Sequence, residues 1–135
     1  MAFSIEGKTA IITGAANGIG LAVGRHFIDR GANVMFADID EARLADELGS
    51  VADEAPARYF ACDLREKLAL NNLLSATVDA FDRVDILVNG ARQILPSDPL
   101  DPEDSSMRDM LEQNLFSAWR LSQLVARRMI KQGAD

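Results

Sequence analysis

The residues most suited to binding a ligand form one glycine-rich segment, residues 13–20 (TGAANGIG). Gly14 permits a tight turn out of a strand, Gly18 lets the backbone approach a pyrophosphate, and Gly20 lets a helix pack closely on a sheet. The free N–H groups and the positive dipole end of that helix would then face the phosphates. The segment predicts a dinucleotide site, and a tight strand-to-helix turn that binds nothing is the alternative.

An acidic residue follows at the spacing expected for a ribose ligand. Asp38 comes 18 positions after Gly20, close to the ~20 expected of a carboxylate that binds the adenosine ribose. That carboxylate would repel the 2′-phosphate of NADP, and Asn17 provides no cation in the loop to hold it. The pattern therefore favours NAD over NADP. Asp38 could instead cap the next helix, and the two roles could be divided between Asp38 and Asp40.

Two other nucleotide-binding classes fit the segment less well. The phosphate-binding loop of nucleoside triphosphatases ends in Gly-Lys-Ser/Thr, whereas Ile19 and Leu21 follow the glycines here. Methyltransferases also carry an acid after the second strand, but they usually space their glycines as alternating pairs. Gly14 and Gly18 are separated by three residues.

The elements that would position these residues alternate along the chain. Buried-strand patterns occupy residues 8–13, 33–37, 57–61 and 84–88, and helical patterns occupy 18–30, 41–48, 66–81 and 105–131. The apolar residues of the last helix cover more than one face, which predicts two buried surfaces. The order β-α-β-α-β-α-β-α in one unit, residues 1–135, predicts an α/β fold: a Rossmann-like, doubly wound parallel sheet of about four strands.

Composition limits the partners and the compartment. The 135 residues carry 14 basic and 21 acidic side chains, a net charge of −7, so no electrostatic footprint for nucleic acid or an anionic membrane is present. No apolar stretch approaches a membrane span, and the N-terminus does not resemble a secretory signal. Cys62 is the single cysteine, which agrees with a reducing compartment. We expect a cytoplasmic protein with neither a nucleic-acid nor a membrane partner.

Taken together, the motifs resemble the N-terminal half of a short-chain dehydrogenase/reductase. They are Thr13-Gly14 with Gly18-Ile19-Gly20, Asp38, Cys62-Asp63-Leu64, Asp85-Ile86-Leu87-Val88-Asn89, and Asn114. The resemblance implies that Gly14, Asn17, Ile19 and Gly20 line the cofactor pyrophosphate and ribose. It implies that Asp38 binds the adenosine ribose, Asp63 with Leu64 contacts the adenine, and Asn89 ends the fourth strand beside the cofactor. Asn114 corresponds to the catalytic asparagine that anchors a water in the proton relay.

One position departs from the family pattern. The family usually has Asn-Asn-Ala-Gly after the fourth strand, where this chain has Asn89-Gly90-Ala91-Arg92. Arg92 places a cation beside the expected nicotinamide, which suggests a ligand for a substrate carboxylate or phosphate; a solvated loop arginine is the alternative. An unchanged substrate KM after Arg92→Ala in a complete enzyme would exclude the ligand role.

The family's proton donor is a tyrosine, assisted by a lysine four residues later and by a serine. The only tyrosine, Tyr59, is followed at that spacing by Asp63. The resemblance places these groups after Asp135, so the chain is expected to end within the domain and to be inactive alone. The implied whole is a homo-oligomeric (dimeric or tetrameric), NAD-dependent oxidoreductase acting on an alcohol or carbonyl. The alternative is a non-catalytic NAD-binding or interaction module that ends naturally near residue 135.

The remaining candidates for chemistry are assigned structural roles. His26 lies on the first helix, away from the carboxyl ends of the strands, and is expected to pack at the surface. Cys62 ends a strand and is expected to be a small core residue. The spacing of His and Cys suggests no metal site.

Overall fold

The computed structural model describes residues 3–49 and 55–133. The strands are β1 (Thr9–Thr13), β2 (Asn33–Asp38), β3 (Ala57–Ala61) and β4 (Ile86–Val88). The helices are α1 (Gly18–Asp29), α2 (Glu41–Leu48), α3 (Lys67–Phe81), α4 (Ser106–Leu111) and α5 (Ser117–Gln132), with a π-helical turn, Glu112–Phe116, between the last two. The predicted alternation of strands and helices is confirmed.

The four strands form one parallel sheet in the order β3-β2-β1-β4. Every residue of β1 is buried, and alternate residues point to opposite faces because the side-chain period of a strand is two. Ile11 packs in a cluster with Leu73 of α3 and Leu121 of α5. On the other face, Ile12 packs in a cluster with residues of α1 and α2. Helices cover both faces, which confirms the doubly wound α/β class.

Strand β4 is shorter than predicted, and side chains bond the residues that precede it. The prediction began at Val84, but the strand begins at Ile86. The Gln132 side-chain amide accepts a hydrogen bond from Val84 N at 3.2 Å and donates one to Val84 O at 2.6 Å. Val84 is buried and bonded, yet outside the strand.

The long C-terminal helix departs from the prediction in two ways. It is interrupted by the π-helical turn, where Ser117 Oγ donates to Glu112 O at 2.8 Å. Leu121 and Val125 of α5 are fully buried, whereas Trp119 is 61% exposed. Within the described residues, one of the two predicted surfaces is buried and the other faces solvent. No helix in the described part of the chain combines the length and apolarity needed to cross a membrane.

Candidate functional site

The glycine loop, residues 14–17, joins β1 to α1 and touches the segment that follows β4. Gly14 has φ +64°, and a Cβ there would lie 2.5 Å from Gly90 O. A Cβ on Gly20 would lie 2.3 Å from Gly14 O and 3.1 Å from Thr13 O. Such distances leave no room for a side chain, so both glycines are needed for the close approach of α1, β1 and the β4 segment. Gly14 and Gly20 therefore have the roles that their spacing predicts: a tight turn out of β1 and close packing of α1 on the sheet.

The start of α1 is open to solvent. Gly18 has φ +55°, and nothing lies within 4 Å of the position that a Cβ would occupy. Asn17 is the N-cap residue with extended backbone, and its side chain makes no capping hydrogen bond. Ile19 is 83% exposed. The first-turn N–H groups of a helix lack intrahelical partners and carry partial positive charge, so this surface can receive an anion.

Asp38 lies at the carboxyl end of β2 and binds the glycine loop. Its Oδ2 accepts from Ala16 N at 3.0 Å, and its Oδ1 accepts from Asp40 N at 3.0 Å. Helix α2 is capped by Asp40, whose Oδ1 accepts from Arg43 N at 3.0 Å. Asp38 is therefore not the helix cap. An ionised carboxylate has about four acceptor positions, so two remain for ribose hydroxyls.

The segment after β3 contributes a partly buried carboxylate and a buried leucine. Arg65 donates to Asp63 from Nε at 3.0 Å and from Nη2 at 2.7 Å, and these hydrogen bonds lower the pKa of Asp63. Leu64 is 7% exposed and packs in the core, which leaves its backbone for the predicted contact with adenine. Cys62 packs against the same core, and burial raises its pKa to about 11, as expected of an unreactive structural thiol.

The segment after β4 is bound to β1 and α5 by polar side chains. Thr13 Oγ1 accepts from Gly90 N at 3.1 Å and from Ala91 N at 3.2 Å. Asn89 Nδ2 donates to Ser122 Oγ at 3.0 Å. Thr13 belongs to the motif recognised in the sequence, but this bridging role was not predicted. Its position at the last residue of a buried strand is the signal that could have indicated it.

Asn114 lies in the π-helical turn and binds the same segment further along. Its Nδ2 donates to Gln93 O at 2.8 Å, and its Oδ1 accepts from Gln93 N at 2.6 Å. The neighbouring Arg92 is exposed, and its side chain has no partner among the described residues. Asn114 thus fixes the backbone next to Arg92.

These groups share the carboxyl edge of the sheet, where the strand order reverses between β1 and β4. Ligands of open α/β sheets bind at such a switch point. His26, in the last turn of α1, and Tyr59, within β3, are not brought to it. Among the described residues, no cluster of three or more His, Cys, Asp or Glu side chains could hold a metal.

Comparison with known proteins agrees with this geometry. A family model described as short chain dehydrogenase matches residues 8–134. The chain is 33% identical to D-threitol dehydrogenase of Mycolicibacterium smegmatis, covering 97% of this chain and 51% of that protein. It is 39% identical to 7alpha-hydroxysteroid dehydrogenase of Escherichia coli, covering 96% and 51%. It is 37% identical to L-fucose dehydrogenase of Oryctolagus cuniculus, covering 87% and 41%. The chain thus spans about half the length of these curated relatives.

Proposed function

Because the chain belongs to the short-chain dehydrogenase family, whose model matches residues 8–134, we propose that it forms the dinucleotide-binding half of an oxidoreductase. The reaction is hydride transfer between NAD and an alcohol or carbonyl substrate. The observation that carries the proposal is the placement of the open glycine loop and Asp38 at the carboxyl ends of neighbouring strands. A dinucleotide needs this pair of features, one for its pyrophosphate and one for its ribose.

The residues present fit the cofactor. The open space at Gly18 gives a pyrophosphate room beside the N–H groups of α1. The exposed side chains of Asn17 and Ile19 border that space. Of the predicted ribose and adenine ligands, Asp38 ends β2 and Asp63 follows the end of β3. When bound, nicotinamide supplies the hydride acceptor or donor.

We further propose a preference for NAD over NADP. The Asp38 carboxylate would repel a 2′-phosphate on the adenosine ribose, and the loop residue Asn17 is neutral. Arg43 is a cation bound to the loop, through its Nε to Ala16 O at 3.1 Å, but two carboxylates, those of Asp38 and Asp40, lie beside it. The charge at the ribose position therefore favours a free 2′-hydroxyl.

We propose that Asn89 and Asn114 line the β4 side of the crevice between β1 and β4, at the carboxyl edge of the sheet. Asn89, held by Ser122, is proposed to line the cofactor, and Asn114 is proposed to anchor a water of the proton relay while its amide holds Gln93. The alkoxide formed by hydride transfer needs a proton donor. Tyr59, the only tyrosine in the sequence, lies within β3 and packs against the cluster covered by α1 and α2. The chain alone is proposed to bind NAD without turnover.

The proposed whole is a homo-oligomer that acts in the cytoplasm on a small-molecule substrate. Exposed apolar side chains on the C-terminal helices, such as Trp119, support association, and the single cysteine supports a reducing compartment. A non-catalytic NAD-binding or interaction module is the second candidate, favoured by the exposed apolar side chains of the C-terminal helices, such as Trp119.

The test is calorimetric titration of the chain with NAD and with NADP. We expect NAD to bind more tightly than NADP. Asp38→Ala should weaken NAD binding by about tenfold or more, because it removes charge-assisted hydrogen bonds to the ribose. Asp29→Asn changes an exposed carboxylate at the end of α1 and should leave the affinity unchanged. Absence of binding at millimolar NAD would contradict both candidates.

A further inference from the structure

Four hydrogen bonds join the glycine loop, the end of β2 and the start of α2 in a closed circuit. Ala16 N donates to Asp38 Oδ2, and Asp40 N donates to Asp38 Oδ1, each at 3.0 Å. Arg43 N donates to Asp40 Oδ1 at 3.0 Å, and Arg43 Nε donates to Ala16 O at 3.1 Å. We call this set, Ala16, Asp38, Asp40 and Arg43, the loop clamp.

The loop clamp holds both polar backbone groups of one buried residue. Ala16 has no solvent exposure, so neither its N–H nor its C=O can rely on water, and each needs a protein partner. An ionised Asp38 side chain can only accept hydrogen bonds, so it suits the Ala16 N–H. The Arg43 side chain can only donate, so it suits the Ala16 C=O. Neighbouring Ala15 adds a backbone bond from its N to Ala37 O at 3.1 Å.

Ala16, the residue that the loop clamp holds, lies directly before the N-cap of α1. Asn17 is the N-cap and Gly18 the first helical residue, and Gly14 and Gly18 both have positive φ. A glycine-rich loop has many accessible conformations. If a ligand binds only one of them, its apparent affinity is reduced by the fraction of molecules in which the loop has that conformation. A bond that holds the loop before binding reduces that loss.

We propose that Arg43 is a positioning residue of the dinucleotide site. It holds the Ala16 carbonyl, so that the N–H groups at the start of α1 are fixed for a pyrophosphate, and it does so without contacting the cofactor. This inference rests on the proposed function. It goes beyond the assignment of Asp38, because it gives a side chain of α2 a role in affinity for the phosphates.

The experiment compares two ligands on the same variants of the chain. Arg43→Met keeps the length of the stem and removes the donor, so we expect NAD affinity to fall about five- to tenfold, the effect of losing one such bond. Adenosine lacks the pyrophosphate, and its affinity, followed by NMR titration, should not change. In the ligand-free variant, amide signals of residues 15–18 should shift while those of β3 stay in place.

Two further variants separate positioning from general stability. Arg25 also bonds to α2, through Glu47 Oε2 at 2.7 Å, but makes no bond to Ala16; Arg25→Met should leave NAD affinity unchanged. Arg43→Lys should recover part of the affinity, since an ammonium on a flexible stem can still donate to the carbonyl.

The outcomes distinguish the two proposals. If the unsubstituted chain does not bind NAD, the proposed function and the role of Arg43 both fail. If it binds NAD and Arg43→Met binds equally well, only the role of Arg43 fails. A matching loss of adenosine affinity would show direct contact with the ribose and overturn positioning, as would an equal loss in Arg25→Met.

Discussion

At the residue scale, Asp85 shows how one carboxylate can join two strands. Its Oδ2 accepts from Thr9 N at 2.9 Å, and Arg83 donates to its Oδ1 from Nη2 at 2.7 Å. Burial alone would raise the pKa of Asp85, but the hydrogen bonds from Arg83 and Thr9 oppose it, and the result is a lowered pKa. The ionised form therefore stabilises the start of the β1–β4 pairing.

The lowered pKa predicts a loss of stability in acid. A group whose pKa is lower in the folded state stabilises the fold above its unfolded pKa of about 4, and this contribution is lost as pH falls through the folded value. We expect Asp85→Asn to lower the free energy of unfolding at pH 7 by about 1–2 kcal/mol, because Thr9 N and Arg83 lose a charged acceptor. The substitution should also reduce the fall in the free energy of unfolding below pH 4.

Urea unfolding between pH 7 and 3 measures both effects. Asp79→Asn, on the exposed side of α3, is the control and should reproduce the unsubstituted curve. If the free energy of unfolding of Asp85→Asn fell below pH 4 as steeply as that of the unsubstituted chain, the prediction would be wrong.

Residue types with special backbone demands were predictable from the sequence, and residues that act through distant partners were not. Gly14 and Gly20 are informative because the close approaches at these positions exclude a side chain. Arg43 carries no comparable signal, since its role depends on Ala16, which lies far away in the sequence. A loop carbonyl within reach of a guanidinium is a product of the tertiary fold.

For helices and strands, local sequence patterns predict the boundaries correctly unless a contact with a distant residue changes them. Strand β3, Ala57–Ala61, matches its predicted bounds. Strand β4 does not, because the Thr9 N–H, which would extend its pairing with β1, donates to the side chain of Asp85 instead. The π-helical turn was also missed; Asn114, within it, bonds to Gln93, and Ser117 Oγ, directly after it, donates to Glu112 O.

The junction of α1 with the glycine loop gives a prediction for a matched pair of substitutions. A Cβ on Gly20 would meet Gly14 O at 2.3 Å, and backbone must move to admit it. We expect Gly20→Ala to reduce the free energy of unfolding by about 2–3 kcal/mol, the cost of overpacking. A Cβ on Gly18 would meet no atom, so Gly18→Ala should reduce the free energy of unfolding only through the strain of its positive φ, by about 1 kcal/mol. Chemical denaturation measures both, and equal costs would contradict the assigned contact.

At the scale of the whole molecule, the charge and the apolar surface are distributed unevenly. The chain carries a net charge of −7, yet several large apolar side chains of α4, the π-helical turn and α5 face solvent. We call five of them, Met107, Leu111, Leu115, Phe116 and Trp119, the exposed set; Ile130, near the end of α5, is also exposed. Contiguous exposed apolar side chains of this kind mark association surfaces.

We expect the chain to self-associate through this exposed set. Leu115→Glu should shift the chain toward monomer in sedimentation velocity, because a buried carboxylate in an apolar contact is costly. Leu68→Glu makes the same charge change at an exposed leucine of α3 and should leave the distribution unchanged. A monomeric unsubstituted chain, or an equal effect of both substitutions, would contradict the assignment.

The strand order also has a consequence for how the chain folds. Strand β1 pairs with β2, its neighbour in the sequence, but on its other side it pairs Ala10 with Ile86 of β4, across the intervening two strands and three helices. Closing a longer loop costs more entropy, and distant pairings form late. We therefore expect the pairing of β1 with β4 to form after that of β1 with β2, so that NAD binding is regained late when the chain refolds.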